Sequence, residues 1–252
     1  MIFTFLGTGS SSLVPVYNCQ CIACERARLQ PEYKRRPCSA LIEMPDGKWL
    51  LDSGLTDLTE RFAPDKLKGI FQTHYHADHA QGLLHLRWGK DLTIPVYGPA
   101  DPDGLADLYK HPGILDFSPT FEAFETKAFS GFYMTALRME HSKLTYGYLV
   151  STTQGTNLAY LTDTKGLSEE VTQFLRSVSL DYAVIDCSYP PIANPKNHND
   201  LTLALECLNT IEATNSYLTH IDHKVDTYLM QNSCALPDNV QVARDNLSLT
   251  LV

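Results

Sequence analysis

The sequence predicts an α/β fold in which two β-sheets pack together under a covering of helices. Three observations lead there. Strand-like apolar runs arrive in groups, with helical stretches interspersed late in each half. Hydrophobic residues make up 44% of the 252 residues, enough for a sizeable core, and no linker, repeat or low-complexity tract divides the chain, so residues 1–252 are read as one domain. Several strand-like runs end directly in a metal-binding residue type: Phe71-Gln72-Thr73 leads into His74, residues 158–161 lead through Thr162 into Asp163, and Tyr217-Leu218-Thr219 leads into His220. Loops at the ends of rigid strands are where sites are built.

Apolar runs bounded by breakers place strands at residues 2–6, 40–44, 49–52, 69–73, 95–97, 133–139, 146–151, 157–161, 181–186 and 216–219, with one or two more within 240–251. Helices fit elsewhere. Residues 168–176 put Val171, Phe174 and Leu175 on one face. Asp200 is placed to cap residues 201–211, where Leu201, Leu205 and Leu208 form a stripe. Asp226 is read as opening a last helix through Tyr228, Leu229 and Met230.

Composition narrows the function. No apolar run approaches the ~18 residues that span a bilayer. The opening Met1-Ile2-Phe3-Thr4-Phe5-Leu6 lacks a basic n-region and runs straight into glycine. It reads as a first strand and not as a signal peptide, so a cytoplasmic protein without a membrane partner is expected. The net charge of −9 argues against a long nucleic acid, whose partners are usually basic, but leaves room for a small phosphate ester that needs only a local positive site. Of seven cysteines, three crowd together as Cys19-Gln20-Cys21-Ile22-Ala23-Cys24. In a cytosolic chain such a cluster holds metal more often than disulfides. Cys38, Cys187, Cys207 and Cys234 stand apart and are expected to pack as small hydrophobes.

The strongest motif is Thr73-His74-Tyr75-His76-Ala77-Asp78-His79, four potential ligands within six residues. Neutral imidazole and carboxylate are the usual ligands of zinc, manganese and iron. In an extended segment His74 and His76 point to one side, because side chains alternate with period two. The turn that follows can aim Asp78 and His79 at a second position nearby, so one short loop can serve two ions. His141, Asp163 and His220, each after a strand-like run, complete the set of candidate ligands.

In this order the motifs resemble the metallo-β-lactamase superfamily, whose HxHxDH signature is matched by His74, His76, Asp78 and His79. The resemblance runs from Gly7 to His220. It implies an αββα sandwich of two mixed sheets flanked by helices. It also implies a first metal on His74, His76 and His141, a second on Asp78, His79 and His220, and Asp163 bridging both. Leu51-Asp52-Ser53-Gly54 resembles the family's early Asp-x-Gly strand end, with Asp52 orienting a ligand histidine.

Cys19, Cys21 and Cys24 offer three thiolates, and tetrahedral zinc wants a fourth ligand. His223, three residues after His220, is available for it. A structural zinc there would pin the long early loop beside the catalytic strand end. The combination is similar to the PhnP family, the cyclic-phosphate phosphodiesterases of the carbon–phosphorus lyase pathway. The likeness rests on residues 19–28, Arg36-Pro37-Cys38-Ser39, residues 74–82, Leu86-Arg87-Trp88-Gly89, Pro95-Val96-Tyr97-Gly98-Pro99, Lys110-His111-Pro112-Gly113, His141-Ser142-Lys143-Leu144-Thr145 and Asp186-Cys187-Ser188. That resemblance implies hydrolysis of 5-phospho-α-D-ribosyl 1,2-cyclic phosphate to ribose 1,5-bisphosphate in phosphonate catabolism, by attack of a metal-bridging hydroxide. It further implies two catalytic divalent ions (manganese, with zinc as the other choice), one structural zinc, and a homodimer.

His198, in the polar loop Lys196-Asn197-His198-Asn199-Asp200, is the candidate general acid for the leaving oxygen, and Asp78 joins it as a catalytic residue. His85 and His111 are read as structural or substrate-loop residues. Lys143, Arg87 and Lys110 are basic groups that could meet a second phosphate, each more simply explained as a surface or salt-bridged residue. Other readings of the same residues are a tRNA 3′-end endonuclease of the same fold, a thioester or lactone hydrolase, and a non-enzymatic cofactor-assembly protein like the cysteine-bearing PqqB relatives. The endonuclease would need a protruding basic arm, which the sequence does not suggest.

Overall fold

The structure is a computed structural model that describes residues 1–232 and 236–252. Cys234 lies outside the described residues. In chain order the strands are β1 (Ile2–Gly7), β2 (Ser39–Met44), β3 (Gly47–Leu51), β4 (Leu67–Phe71), β5 (Ile94–Pro99), β6 (Leu115–Asp116), β7 (Thr120–Phe121), β8 (Thr126–Phe129), β9 (Phe132–Arg138), β10 (Tyr146–Thr152), β11 (Asn157–Leu161), β12 (Tyr182–Asp186), β13 (Asn215–Thr219), β14 (Val240–Val242) and β15 (Ser248–Thr250). The helices are α1 (Ile22–Leu29), α2 (Leu58–Arg61), α3 (Ala77–Ala80), α4 (Leu83–Leu86), α5 (Ala106–Lys110), α6 (Glu169–Ser177), α7 (Leu201–Ile211) and α8 (His223–Gln231).

Two mixed sheets result. The first runs β15-β1-β2-β3-β4-β5-β6, with β7 also on β5, and the second runs β14-β13-β12-β11-β10-β9-β8. Each has antiparallel pairs towards one edge and a parallel run towards the other, β3-β4-β5 in one and β11-β12-β13-β14 in the other. Alternation along the strands sorts side chains between faces. On β10, Tyr148 and Val150 turn inward while Leu149 turns outward. Phe3, Phe5, Ile42 and Phe71 of the first sheet meet Phe132, Met134, Tyr148 and Tyr160 of the second in the sandwich interior. Each such buried aromatic contributes about 1.5–3 kcal/mol relative to leaving it in water.

The outer faces are covered by helices. Leu41, Leu50, Ile70 and Val96 lie under Leu58, Leu83 and Leu108. Leu149, Ile185 and Leu218 lie under Val171, Leu175, Leu201 and Leu208. This is the αββα arrangement expected from the sequence. Asp200 caps α7 as expected, its Oδ1 accepting from Leu203 N at 2.9 Å, and Ser168 caps α6. The last helix departs from expectation. It opens at His223 with Asp222 as cap, while Asp226 sits inside it and turns inward to pair with Arg35. Cys38, Cys187 and Cys207 are buried, as expected of small hydrophobes. Among the described residues no helix is long and apolar enough to cross a membrane.

Candidate active site

The ends of β3, β4, β9, β11, β12 and β13 come to one edge of the sandwich, where the loops after them place Asp52, the His74–His79 segment, His141, Asp163, Asp186 and His220. All seven residues expected to hold the catalytic ions meet there. His74 Nε2 lies 2.9 Å from His76 Nδ1, and His141 Nε2 lies 3.1 Å from that same nitrogen. Three nitrogens so close cannot all bond one another with the protons that imidazoles carry. Nitrogens about 2.0–2.1 Å from a single ion lie about 2.9–3.3 Å apart, which is the spacing seen. Asp78 Oδ2 lies 3.6 Å from both His79 Nε2 and His220 Nε2, forming a second cluster. Asp163 Oδ2 stands between the two groups. It is 3.2 Å from His79 Nε2, 3.5 Å from His220 Nε2, 3.8 Å from His74 Nε2 and 3.9 Å from His141 Nε2.

The donor set fits divalent cations on two further grounds. The Nε2 atoms of His79 and His220 are buried without a hydrogen-bond partner, although Asp163 is near: they point at a common space and not along a hydrogen bond to its carboxylate. Buried polar atoms are rarely left so. The charge pattern also asks for a cation. Burial, reinforced by the neighbouring His79, holds His74 well below an ordinary histidine, and burial lowers His76 and His141 as well, leaving neutral rings with free lone pairs. Burial opposes ionisation of Asp163, yet the surrounding His220, His79 and His74 hold it well below the usual carboxylate range. Asp78 is pushed down to about 2, its burial outweighed by His220 and His79, so it is ionised at neutral pH and offers an anionic oxygen to a cation.

Supporting groups fix the far edge of each ring. Asp52, fully buried, takes His79 Nδ1 at 2.8 Å and Thr73 Oγ1 at 2.9 Å, and Thr73 Oγ1 in turn meets His74 Nδ1 at 3.0 Å. The Asn197 carbonyl holds His141 Nδ1 at 2.9 Å. Ser188 Oγ holds His220 Nδ1 at 2.7 Å and donates to Asp186 Oδ1 at 2.8 Å. Gln72 Nε2 reaches the carbonyls of His74 and His79, both at 2.8 Å, and so staples the histidine loop from below. The backbones of Asp52, Asn197 and His220 adopt φ of 57°, 65° and 57°, in the left-handed region that non-glycine residues seldom use. Gly54 has its own constraint: a Cβ there would lie 1.7 Å from the Asp78 carbonyl oxygen.

His198 joins the site from the loop before α7. Its Nδ1 lies 2.7 Å from Asp186 Oδ2 and 4.0 Å from Asp163 Oδ2, and its ring stacks on His220 at 4.9 Å. Burial disfavours its charged form, but the Asp186 carboxylate prevails and pushes it up to about 9. His198 is therefore a cation at neutral pH, with Nε2 as the ring nitrogen left to give a proton.

The cysteine cluster also forms. Cys19 Sγ and Cys21 Sγ lie 3.4 and 3.3 Å from His223 Nδ1, and Cys24 completes the group. Sulfur and nitrogen on one tetrahedral zinc lie about 3.5 Å apart. Burial opposes the Cys21 thiolate, but hydrogen bonds from Thr227, His223 and the Cys24 N–H outweigh it and push the thiol down to about 6, whereas burial pushes Cys24 up to about 12. A cation would be needed to ionise the whole set. Arg28 braces the loop by donating to the carbonyls of Cys19 and Val16.

Asp186, Ser188, Asn197 and Gln72 are the site residues to which sequence reasoning gave no role, although Asp186 and Ser188 fell in a stretch that carried the family likeness. Asp186 had a signal, since β12 ends in a carboxylate as β11 leads into one. His85, His111 and Lys110 are exposed and stay outside both clusters. Arg87 is engaged by Asp107 at 2.7 Å, and Lys143 by Asp101 at 3.2 Å.

Comparison with known proteins agrees with this geometry. Residues 50–221 match the β-lactamase superfamily domain. The chain is 26% identical over 258 residues to an octanoyltransferase of Porphyromonas gingivalis, covering 96% of this chain and 50% of that protein. The chain thus spans about half the length, or less, of the curated relatives it matches. Among solved structures, a diphosphatase from the PhnP family superposes with a TM-score of 0.80 at 25% identity, covering 100% of this chain and 98% of that one. Zn(2+)-bound PqqB from Methylobacterium extorquens gives 0.79 at 20% identity, and the short form of human tRNase Z gives 0.68 at 18%, each covering 100% of both chains. The chain belongs to the β-lactamase superfamily and has the metallo-β-lactamase fold.

Proposed function

We propose that the protein is a phosphodiesterase of small five-membered cyclic phosphates, with 5-phospho-α-D-ribosyl 1,2-cyclic phosphate as the substrate suggested by its likeness to the PhnP family. The observation that carries this reading is His198, held cationic by Asp186 at 2.7 Å and set against the shared Asp163. A sugar alkoxide is a poor leaving group and needs a proton, whereas the thiolate released from a thioester leaves without one. His74, His76 and His141 would hold one ion, Asp78, His79 and His220 a second, with Asp163 between them. Manganese is proposed for this pair and zinc for Cys19, Cys21, Cys24 and His223. The pair would supply positive charge against the phosphate oxygens and lower the pKa of water towards ~7. Asp52, Ser188 and the Asn197 carbonyl keep the ligand rings in the tautomer that presents a lone pair inward. Water gives up one proton to solvent as its oxygen joins phosphorus, the P–O bond to the sugar breaks, and the proton on His198 Nε2 passes to the departing oxygen, to be regained from solvent. The chain's acidic balance disfavours a long nucleic acid.

The test compares His198→Ala with the parent on a 2′,3′-cyclic nucleotide or ribosyl 1,2-cyclic phosphate and on bis-p-nitrophenyl phosphate. General-acid assistance is worth about 10²–10⁴-fold, so kcat on the cyclic phosphate should fall by that factor. The loss on the p-nitrophenyl ester, whose leaving group departs without a proton, should be much smaller. Equal losses on both would make His198 a substrate-positioning group. Efficient cleavage of precursor tRNA with cyclic phosphates untouched would overturn the substrate.

A further inference from the structure

A cavity of about 560 Å³ opens between α1, α8 and the C-terminal strands, at a different place from the metal centre. Its volume is in the usual range of small-molecule pockets, about 300–1,000 Å³. The walls are largely apolar, with Leu229, Met230, Leu236 and Val240 among them. Its charged groups are three guanidiniums, Arg26, Arg35 and Arg244, and one carboxylate, Asp226. The local charge is therefore positive in a chain whose net charge is −9.

The single carboxylate is already engaged. Arg35 Nε and Nη2 donate to the two Asp226 oxygens at 2.7 and 2.9 Å, and Arg35 Nη1 donates to Thr8 Oγ1 and the Ala243 carbonyl. Arg26 comes no nearer to Asp226 than 4.0 Å, and its Nε is buried without a hydrogen-bond partner. Arg244 makes no ion pair among the described residues. Residues 233–235 are Ser, Cys and Ala in sequence and bring no carboxylate. Arg26 and Arg244 instead lie over the Tyr33 ring, at 3.8 and 4.8 Å from its centroid. Stacking fixes the guanidinium planes while leaving in-plane N–H groups free, which suits them to grip an oxyanion.

We propose that this cavity binds a small amphiphilic anion, with a carboxylate or phosphate head on Arg26 and Arg244 and an apolar body against the leucine and valine walls. Such a ligand would tie α1 to α8.

The experiment is calorimetric titration of the metal-loaded protein with octanoate, octyl phosphate, octanol and inorganic phosphate. Octanoate or octyl phosphate should bind at one site, and octanol and inorganic phosphate at least tenfold more weakly, since each lacks one half of the ligand. Preference between the two heads then identifies which oxyanion the arginines suit. Arg244→Gln, at an exposed position, and Arg26→Gln should each weaken that binding about tenfold, the worth of a charge-assisted hydrogen bond, while turnover of bis-p-nitrophenyl phosphate stays at the parent's level. Octanol binding as well as octanoate, equal affinity in both arginine variants and the parent, or titration abolished by His76→Ala would each refute the proposal, the last by placing the anion on the metal centre.

Discussion

Asp52 and Asp186 stand at the ends of parallel strands in opposite sheets, and each works through the same pair of contacts. Each takes one histidine directly and reaches a second through a hydroxyl. Asp52 holds His79 and, by way of Thr73, His74. Asp186 holds His198 and, by way of Ser188, His220. The difference lies in what the histidines are for. Both partners of Asp52 turn a nitrogen into the ligand clusters, so although Asp52 also raises His79, a cation held there would keep that ring neutral and leave the carboxylate to fix geometry. Asp186 serves one ligand-type ring and one that stands outside the three-residue ligand sets, so it both fixes geometry and sets a protonation state. A carboxylate–histidine contact is thus neutral as to function, and the placement of the ring's other nitrogen decides what the contact achieves.

Removing the group that both halves share should have the largest effect. Asp163→Ala should lower activity by more than about 10³-fold on every substrate, beyond the loss of a single electrostatic donor, and should reduce occupancy of both ions. Near-normal turnover with unchanged metal content would show that the halves do not meet at Asp163.

Asp52→Asn and Asp186→Asn sharpen the contrast. Partners of ligand histidines are typically worth about 10–100-fold in metal affinity or activity. Asp52→Asn should show that loss as lower metal affinity, equal for sugar and p-nitrophenyl substrates, and recovered in excess metal. Asp186→Asn should lose more on the sugar ester. It should also move the alkaline limb of the pH profile. His198 is raised to about 9 by Asp186, so the acid form is present below that pH and activity on the sugar ester falls as pH rises through it. Without the carboxylate the proton is held less tightly, and the limb should shift to lower pH. Identical pH profiles for the two variants would erase the distinction drawn here.

The cysteine cluster should give the smallest effect on catalysis. Cys21→Ala or His223→Ala should release the structural ion and lower Tm by roughly 4–12 °C, the shift expected for a loss of about 2–3 kcal/mol in a chain of this size. The protein that remains folded should turn over at nearly the parent rate. Elemental analysis showing the zinc retained after both changes would remove the cluster from the account.

What was legible in the sequence was local. Asp200 sits beside the residues it caps, and four ligand types fall within the six residues that follow Thr73, so short patterns expose both. Asp226 misled for the opposite reason. It stands before apolar residues as a cap would, but its partner Arg35 is 191 positions away, and Asp222 takes the cap instead. Separation in sequence also hides Asn197 behind His141, 56 positions earlier. Helix α1 escaped notice because the residues it buries, Ala23, Cys24 and Ala27, are small and make no apolar stripe. The two-residue strands β6 and β7 are too short for periodicity to register.

Only Ile221 and Asp222 separate His220 from His223. Ile221 is fully buried, donates its N–H to the Thr8 carbonyl at 2.8 Å, and accepts from Ser10 N at 3.2 Å. The turn linking the two clusters is therefore stitched to the segment that leads into the cysteines, and the three parts cannot be ordered separately. Fixing one residue's backbone costs about 1–2 kcal/mol of entropy. A cation on the thiolates would fix this stretch, and that part of the ordering cost would no longer fall on whatever binds at His220. Cations held at the two chemically distinct clusters would therefore be linked through four residues of shared chain.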